Sequence, residues 1–324
     1  MHLLANLALI RYPLLEVIVV DSGEDRLAPA DYLVYDRLDV QYIHSPKSVC
    51  IQRNTGIQMA RGKWIFLCDD DIRVPFDYLN RLISHYQDHP QAGALSGLVL
   101  QRTGDGTASN QWTAQYPIES GRELLRTFIF RLSIWGEIKW AGNNLLLKKI
   151  KAWYTRKGNH ISTAGWPVIT DFSGDYFVCP VFGLGASLIK RAWLLRSPYD
   201  EVLDPHGIGD NYGVSVGFPP GIHVVNDAFV YHEHEPVNRL KRPLQYYRRV
   251  LALDYFRKTK KELRQVKKYW LLWSLLGNLL TFILVRDRIM IKAAFTSLKQ
   301  IALGRNPYYH AARQKKKVVQ PMPE

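Results

Sequence analysis

The stretch Trp64-Ile65-Phe66-Leu67-Cys68-Asp69-Asp70-Asp71 places five apolar residues directly before three carboxylates. An apolar run of this length predicts a buried β-strand. The acids that follow must lie outside the core, because burying an unpaired charge is too costly. Adjacent like charges also repel each other unless a cation lies among them. The stretch therefore predicts a strand that ends either in a divalent-cation site with oxygen ligands or in an exposed acidic turn.

Strands and helices alternate around this stretch. Such alternation predicts an α/β fold with a mostly parallel, doubly wound sheet. Ligands of such sheets bind beyond the carboxyl ends of the strands, so we expect Asp21 and Asp69–Asp71 to face one crevice. The other predicted elements, in chain order, are a strand at Glu16–Asp21, a strand at Val40–Ile43, a helix at Ser48–Arg61, a helix at Phe76–Gln87 and a strand at Gly93–Leu100.

The composition indicates a globular body with a basic end. The chain has 324 residues, 47% of them hydrophobic, which is enough for one large α/β domain with an appendage or for two domains. The net charge of +14 is uneven, since residues 239–324 hold 21 Lys and Arg against 4 Asp and Glu. The three cysteines, Cys50, Cys68 and Cys179, lack a metal-type or redox spacing. They indicate reduced thiols in a cytosolic setting.

The basic end is predicted to be helical and to meet an anionic membrane surface. Tyr269–Val285 is a run of 17 uncharged residues that follows Lys267 and Lys268. A helix in the plane of the membrane fits this pattern better than a spanning helix or a buried core or dimer helix. Nucleic acid is disfavoured, because the cations flank apolar helices rather than a solvated groove. Polar residues recur at helical spacing at Ser274, Asn278, Thr281, Arg288 and Lys292.

Two later segments carry further candidate site residues. Asp204–Asn211 is polar and rich in glycine, which is typical of a functional loop and equally of a plain turn. Ile222–Tyr231 predicts one or two strands, and His232 and His234 follow it. A histidine just beyond a strand is either a metal ligand or a packed or surface residue. Residues 101–176 show poor periodicity, so we expect loops and short elements there.

Several segments occur in an order that is found in a known protein family. They are Glu16–Gly23, Arg53–Gly56 with Ala60–Gly62, Ile65–Asp71, Gly185–Ser187 with Lys190-Arg191, and Gly209–Asn211. Taken in this order, the segments resemble five features of the family 2 glycosyltransferases, which have the GT-A fold. These features are the second strand with its acid, the helix before the metal motif, the DXD motif, the acceptor-side segment and the position of the Glu-Asp pair. The resemblance covers about residues 1–236. The family's first strand has no counterpart, for which we expect a misplaced start codon rather than a sheet built without that strand.

The resemblance implies a nucleotide-sugar site around the three acids. Asp71 would contact the metal, which would be Mn²⁺ or Mg²⁺. Asp69 would hold the ribose or a metal-bound water, and Asp70 joins the nucleotide-sugar side without an assigned contact. Asp21 would accept hydrogen bonds from the nucleobase. Arg53 would fix the base or the phosphates, with a surface ion pair as its alternative.

The resemblance also implies inverting transfer, in which one base deprotonates the acceptor hydroxyl as it attacks. Asp210 is the only acid of the segment that resembles the Glu-Asp pair, and Asp204 is held in reserve. Asn211 departs from the family pattern, since an amide cannot act as a base. His232, or alternatively His234, would complete the metal site.

We therefore expect a metal-dependent inverting glycosyltransferase that uses a nucleotide-diphosphate sugar and a lipid-linked or polysaccharide acceptor. The predicted domains are residues 1–236, with a nucleotide-binding half at 1–100 and an acceptor half at 101–236, and a membrane-associating tail at 237–324. The expected location is cytoplasmic, peripheral on the inner face of the cell membrane. One alternative is a degenerate relative that binds a membrane or partner proteins. The other is a nucleotidyltransferase, which is disfavoured because no Gly- and Lys-rich phosphate loop lies near the start.

Overall fold

A computed structural model of the chain describes residues 2–14, 16–102, 112–139, 142–232 and 240–314. The residues form two compact units, each assembled from three stretches of chain. The first unit comprises Met1–Ala114, Ser173–Tyr199 and Gly217–Val237, and the second comprises Gln115–Phe172, Asp200–Val216 and Asn238–Glu324. These units are groups of packed residues, so the predicted domain bounds at 1–236 and 237–324 stay a prediction.

The elements have the following bounds. The strands are β1 (Val17–Asp21), β2 (Val40–His44), β3 (Trp64–Cys68), β4 (Ile72–Arg73), β5 (Ala94–Arg102), β6 (Trp112–Thr113), β7 (Ile134–Trp135), β8 (His160–Ile161), β9 (Pro167–Ile169), β10 (Tyr176–Cys179), β11 (Ala186–Lys190) and β12 (Ile222–His232). The helices are α1 (His2–Ala8), α2 (Pro29–Leu33), α3 (Val49–Met59), α4 (Tyr78–Asp88), α5 (Gly121–Phe130), α6 (Leu145–Lys157), α7 (Arg191–Arg196), α8 (Asp210–Ser215), α9 (Arg242–Thr259), α10 (Lys268–Leu284), α11 (Arg288–Ala302) and α12 (Pro307–Arg313).

The predicted elements of the first unit are confirmed, and local chemistry accounts for their ends. The hydroxyl of Ser48 accepts a hydrogen bond from the Ile51 amide at 3.4 Å, which caps the start of α3. The side chain of Asn6 on α1 both donates to the carbonyl of Val74 (2.9 Å) and accepts from its amide (2.7 Å). These two hydrogen bonds hold α1 against the segment that follows β4.

The sheets of the first unit are parallel only in part, which corrects the expected mostly parallel arrangement. β1 and β2 form a separate, parallel pair. The larger sheet has the order β10-β12-β5-β11-β3, with β4 on β12 and β6 on β5, and among its pairs only β5 with β12 is parallel. The reason is that β11, which comes late in the chain, lies antiparallel between β3 and β5. The α/β class itself is confirmed.

Tyr78, the first residue of α4, forms hydrogen bonds with two neighbouring strands of the larger sheet. Its side chain is buried, and its hydroxyl donates to the Ala186 carbonyl of β11 at 2.6 Å. The same hydroxyl accepts the Gly97 amide of β5 at 2.8 Å. Burial raises the pKa of Tyr78, so the hydroxyl keeps the proton that it donates.

A bulge in β12 sets the register at the end of the sheet. Val225 pairs with Gly97, but the next paired residues are Phe229 and Leu98, so Asn226–Ala228 are extra on β12. After the bulge the strand continues in register to its last residue, His232, which pairs with Ile72 of β4. The bulge therefore fixes which residue of β12 lies beside the segment that follows β3.

The helical end of the chain is part of the core of the second unit. Asp204 is fully buried and accepts from Arg248 of α9 (2.9 Å) and from the hydroxyl of Tyr308 of α12 (2.9 Å). Ser274 of α10, one of the polar residues that recur at helical spacing, is buried and accepts a hydrogen bond from the Trp166 indole. Within the part of the chain that the structure describes, no helix has the length and apolar content that crossing a bilayer requires.

Residues 115–172 hold two helices, of 10 and 13 residues, besides the loops and short elements that were expected. Ser120 and Asn144 cap the starts of α5 and α6, since their side chains accept from the Glu123 and Leu147 amides, each at 3.2 Å. Strands β7, β9 and β8 form a small sheet beside them. The sequence pattern was weak because each of these strands is only two or three residues long.

Three histidines of the first unit pack together at the start of β12. The Nε2 atom of His85 lies 3.1 Å from Nδ1 of His223, and the ring of His89 lies 4.5 Å from that of His85. The His223 ring stacks on Tyr176, with centroids 5.1 Å apart. Burial, with the neighbouring charges of His85 and His89, lowers the pKa of His223 to about 4.

This cluster predicts a loss of stability in mild acid. His223 is neutral when folded, whereas the unfolded residue binds a proton below its ordinary pKa of 6.5. Stability is therefore fully present above about pH 6.5 and falls as the pH drops towards about 4, by roughly 3 kcal/mol. Urea unfolding across this range should show a shallower pH dependence for His223→Phe. The control His44→Gln, at an exposed histidine, should keep the wild-type slope, and an unchanged slope in His223→Phe would contradict the assignment.

Candidate active site

Asp69, the first acid after β3, is held from two sides. Its amide donates to the carbonyl of Gly185 at 2.8 Å, which continues the pairing of β3 with β11. Its Oδ1 atom forms an ion pair with Nη2 of Arg53, a residue of α3. The guanidinium of Arg53 also lies over the ring of Tyr199, 5.2 Å from its centroid. The structure thus joins two of the residues expected on the nucleotide side, Asp69 and Arg53.

Gly185 allows the carboxylate of Asp69 to lie against the backbone. A Cβ atom at this position would fall 2.1 Å from Oδ2 of Asp69 and 2.5 Å from its Cγ. Real side chains do not approach so closely, so any larger residue must displace the carboxylate or the backbone. The position of Asp69 therefore depends on glycine at 185.

Asp71 and His232 form a second pair. Their Oδ2 and Nε2 atoms are 2.8 Å apart. The pairing of β4 with β12 brings them together, since His232 is opposite Ile72, the residue after Asp71. A carboxylate suits Mn²⁺ and Mg²⁺, and an imidazole is a common ligand of divalent transition metals. Within the described residues no group of three His, Cys, Asp or Glu could hold a metal ion, and His234 lies outside those residues.

Asp21 ends β1 as predicted. Its Oδ2 accepts from the hydroxyl of Tyr42 (2.9 Å) and its Oδ1 accepts from the amide of Gly23 (2.9 Å). Burial and the hydrogen bond to Asp21 raise the pKa of Tyr42, so this hydroxyl remains a donor. These two hydrogen bonds therefore fix the orientation of the Asp21 carboxylate.

Helix α3 links the ends of β1 and β3. Gln52 donates from Nε2 to the carbonyl of Val20 at 2.8 Å, and its Oε1 lies 3.3 Å from the hydroxyl of Ser22. The next residue, Arg53, reaches Asp69. Neighbouring residues of one helix thus bind the carboxyl ends of both strands, as expected if these ends line one crevice.

The remaining residues of the strand end differ in exposure. Asp70 is exposed, whereas Asp69 and Asp71 are half-buried. Burial raises the pKa of the Cys68 thiol, and the charges of Asp69, Asp71 and Asp70 raise it further. Cys68 therefore stays a neutral thiol that packs at the end of β3.

Asp210, the expected base, belongs to the second unit. It begins α8 and is buried, and its Oδ1 accepts from the amide of Asn211 at 2.6 Å. Gly209 before it has φ +95°, and a Cβ there would lie 2.9 Å from Ala252 of α9. Both the turn conformation and this close approach require glycine. The assignment of Asp210 as the base stays a prediction.

Sequence reasoning missed several residues that shape this site. Tyr199 under Arg53, Tyr42 on Asp21 and Gln52 on β1 were not singled out, although Gln52 directly precedes Arg53 in the sequence. Gly185 was noted only as part of an acceptor-side segment. Each of these contacts joins elements that are distant in the sequence, and no local pattern reveals which elements pack together.

The contact between Gly185 and Asp69 predicts the effect of one methyl group. Gly185→Ala should displace the Asp69 carboxylate and weaken nucleotide binding at least tenfold, about 1.4 kcal/mol or more. The matched control is Gly183→Ala, because a Cβ at Gly183 meets no atom within 4 Å. Calorimetric titration with UDP and GDP measures the effect, and thermal unfolding separates it from loss of folding. Equal nucleotide affinity of the folded Gly185→Ala and Gly183→Ala variants would show that nucleotide binding does not depend on the position of the Asp69 carboxylate.

Comparison with known proteins adds a family match to this geometry. The family described as Glycosyl transferase family 2 matches residues 2–143, which include β1, α3, β3 and the three acids. No protein with a curated description matches the chain significantly.

Two solved structures resemble the fold at low identity. S. aureus TarS 1-349 is 13% identical, with a TM-score of 0.48 over 97% of this chain and 87% of that chain. The mannosyltransferase PcManGT from Pyrobaculum calidifontis, in complex with GDP-Man and Mn²⁺, is 15% identical, with a TM-score of 0.45 over 96% of this chain and 81% of that chain. The family match agrees with the resemblance that the sequence showed: residues 2–143, somewhat less than half of the chain, are similar to glycosyl transferase family 2.

Proposed function

We propose that the chain is a metal-dependent, inverting glycosyltransferase that moves a sugar from a nucleotide-diphosphate sugar to a hydroxyl of a lipid-linked or polysaccharide acceptor. The observation that carries this proposal is the pair formed by Asp71 and His232, 2.8 Å apart, directly beyond the strand end at which Arg53 binds Asp69. A carboxylate, an imidazole and a guanidinium in one region suit a metal-bound diphosphate.

The nucleotide side is formed by Asp21, Arg53, Asp69 and Asp70. Each oxygen of the Asp21 carboxylate accepts one hydrogen bond within the chain. Each oxygen also has a second lone pair, which can accept a hydrogen bond from a nucleobase. Asp69 binds the ribose hydroxyls or a metal-bound water. Arg53 binds the phosphates, since guanidinium groups pair with phosphate oxygens through two hydrogen bonds. Asp70 is exposed and adds negative charge at the rim of the site.

Asp71 and His232 would hold Mn²⁺ or Mg²⁺. The donor set fits such an ion, because two protein donors leave positions for the oxygens of a diphosphate, which binds hard cations well. When bound, the ion supplies Lewis acidity that neutralises negative charge on the leaving diphosphate. The residues of the chain contribute the orientation of both donors, which β3, β4 and β12 fix.

Asp210 is the proposed base, which takes the proton of the acceptor hydroxyl. The reserve candidate, Asp204, is fully buried and engaged by Arg248 and Tyr308, and it also accepts the His206 amide at 3.0 Å. A carboxylate enclosed by these donors serves to stabilise the second unit. Its engagement supports Asp210 for the chemical role.

The proposed location is cytoplasmic, on the inner face of the cell membrane. The excess of cations in residues 239–324 supports attraction to anionic lipid headgroups. Cys50, Cys68 and Cys179 form no disulfide, which is compatible with a reducing compartment. An acceptor carried by a lipid would be presented at this surface.

Removing the carboxylate of Asp71 tests whether nucleotide binding depends on a metal ion. In the wild type, GDP or UDP should raise the melting temperature more in the presence of Mn²⁺, because a ligand that binds only the native state stabilises it. Asp71→Asn should weaken the metal-dependent part of this binding by about 10- to 100-fold or more. The exposed Asp36→Asn serves as the control and should behave as the wild type. A nucleotide shift that is the same with Mn²⁺ and with EDTA in the wild type would refute metal dependence.

Substituting the two acids of the glycine-rich loop tests the base. Asp210→Asn should lower kcat by about 100-fold or more while the nucleotide-dependent thermal shift stays intact, since general-base catalysis typically contributes 10²- to 10⁴-fold. Asp204→Asn should instead lower the stability, by about 3 kcal/mol, because it leaves Arg248 buried without its charge partner. Sugar-transfer rates and urea unfolding distinguish the two. Full activity in Asp210→Asn would exclude it as the base.

A further inference from the structure

One side of α10 is apolar and faces solvent. Its exposed residues, from 39% for Trp273 to 77% for Leu284, recur at intervals that keep them on one side of a helix. The opposite side packs into the second unit through Leu271, Ser274 and Leu275. We use the name α10 face for the exposed residues Tyr269, Trp273, Leu280, Ile283 and Leu284.

The α10 face continues onto the neighbouring helix α5. The indole Nε1 of Trp273 donates to the carbonyl of Ile129 at 2.8 Å, and its ring lies 5.0 Å from that of Phe130. Ile129 and Phe128 are themselves exposed. The exposed apolar surface therefore spans two helices that are fixed to each other.

Basic residues surround this apolar surface. Lys267 precedes α10, while Arg286, Arg288 and Lys292 follow it, and all four are exposed. Asp287 is the only acid between positions 267 and 292, and its carboxylate accepts from the amide of Met290 at 3.0 Å. An apolar strip with cations at both ends complements an anionic bilayer, whose headgroups meet the cations while the acyl region accepts the apolar side chains.

A second copy of the chain is a poorer occupant. In a two-fold symmetric contact through the α10 face, each patch meets the same patch of the other copy. The contact would bring like cations together, with Asp287 as the only acid of the 267–292 segment of each copy to offset them. A spanning orientation is also disfavoured, because the 17 residues of α10 extend only about 25 Å, less than the roughly 30 Å of a hydrocarbon core.

We propose that the α10 face is the surface by which this chain binds an anionic lipid bilayer, with α10 lying in the plane of the membrane. This assignment builds on the membrane location proposed above and is independent of the metal and the base. It names α10 and the end of α5, rather than the basic C-terminal residues as a whole, as the parts that enter the bilayer.

Vesicle co-sedimentation of the full chain tests the proposal. The wild type should bind vesicles of phosphatidylcholine with phosphatidylglycerol, bind phosphatidylcholine alone weakly, and lose affinity as salt rises. Replacing Leu280, Ile283 and Leu284 together by Gln should weaken binding by about tenfold or more. Arg286→Gln with Arg288→Gln should weaken binding only to the anionic vesicles. The matched control, Leu33→Gln with Val34→Gln, alters equally exposed apolar residues of the first unit and should bind as the wild type.

Two results would overturn the assignment. One is wild-type binding of anionic vesicles by the folded triple Gln variant. The other is a wild-type dimer, measured by light scattering, that the triple variant dissociates, which would assign the α10 face to a second copy. Nucleotide binding with Mn²⁺, measured on the same variants, should stay at the wild-type level. A chain that binds vesicles but no nucleotide would retain this inference and refute the proposed function instead.

Discussion

The negative charge at the end of β3 is the constraint on which the first unit depends. At about 4 Å two unit charges interact by roughly 4 kcal/mol near a protein surface, a large share of the 5–15 kcal/mol that stabilises a typical domain. The chain offsets this charge with residues from distant elements: Arg53 of α3 binds Asp69, and His232 of β12 contacts Asp71. The same contacts hold α3 and β12 in place, so the site and the fold share one set of interactions.

The sequence predicted the elements of the first unit better than their arrangement. The apolar run before Asp69 specified β3, because this signal lies within a few residues of sequence. No local signal showed that β11 enters between β3 and β5, since pairing partners are chosen by packing across the whole sheet. For the same reason the antiparallel pairs of the larger sheet were not predicted.

The candidate site shows the same division. Asp21, Arg53, Asp69 and Asp71 could be named from residue type, position at strand ends and family resemblance. What surrounds them could not, because Gly185 and Tyr199 are far away in the chain. Whether a side chain is buried likewise depends on residues that are distant in the sequence. Asp204 and Asp210 occur in one glycine-rich loop, and only the packing of Arg248 and Tyr308 shows that the first of them is enclosed.

The bulge in β12 has a consequence for how this site can change over time. Point substitutions at Asn226–Ala228 leave the spacing between Val225 and His232 intact, whereas an insertion or deletion there does not. Side chains alternate between the two faces of a strand, so a shift of one residue would bring Tyr231 or Glu233 to the position opposite Ile72. The histidine would then face away from Asp71. Length variation in this short segment is thus a route by which descendants of this chain could lose the Asp71–His232 pair while every residue of the site remained encoded.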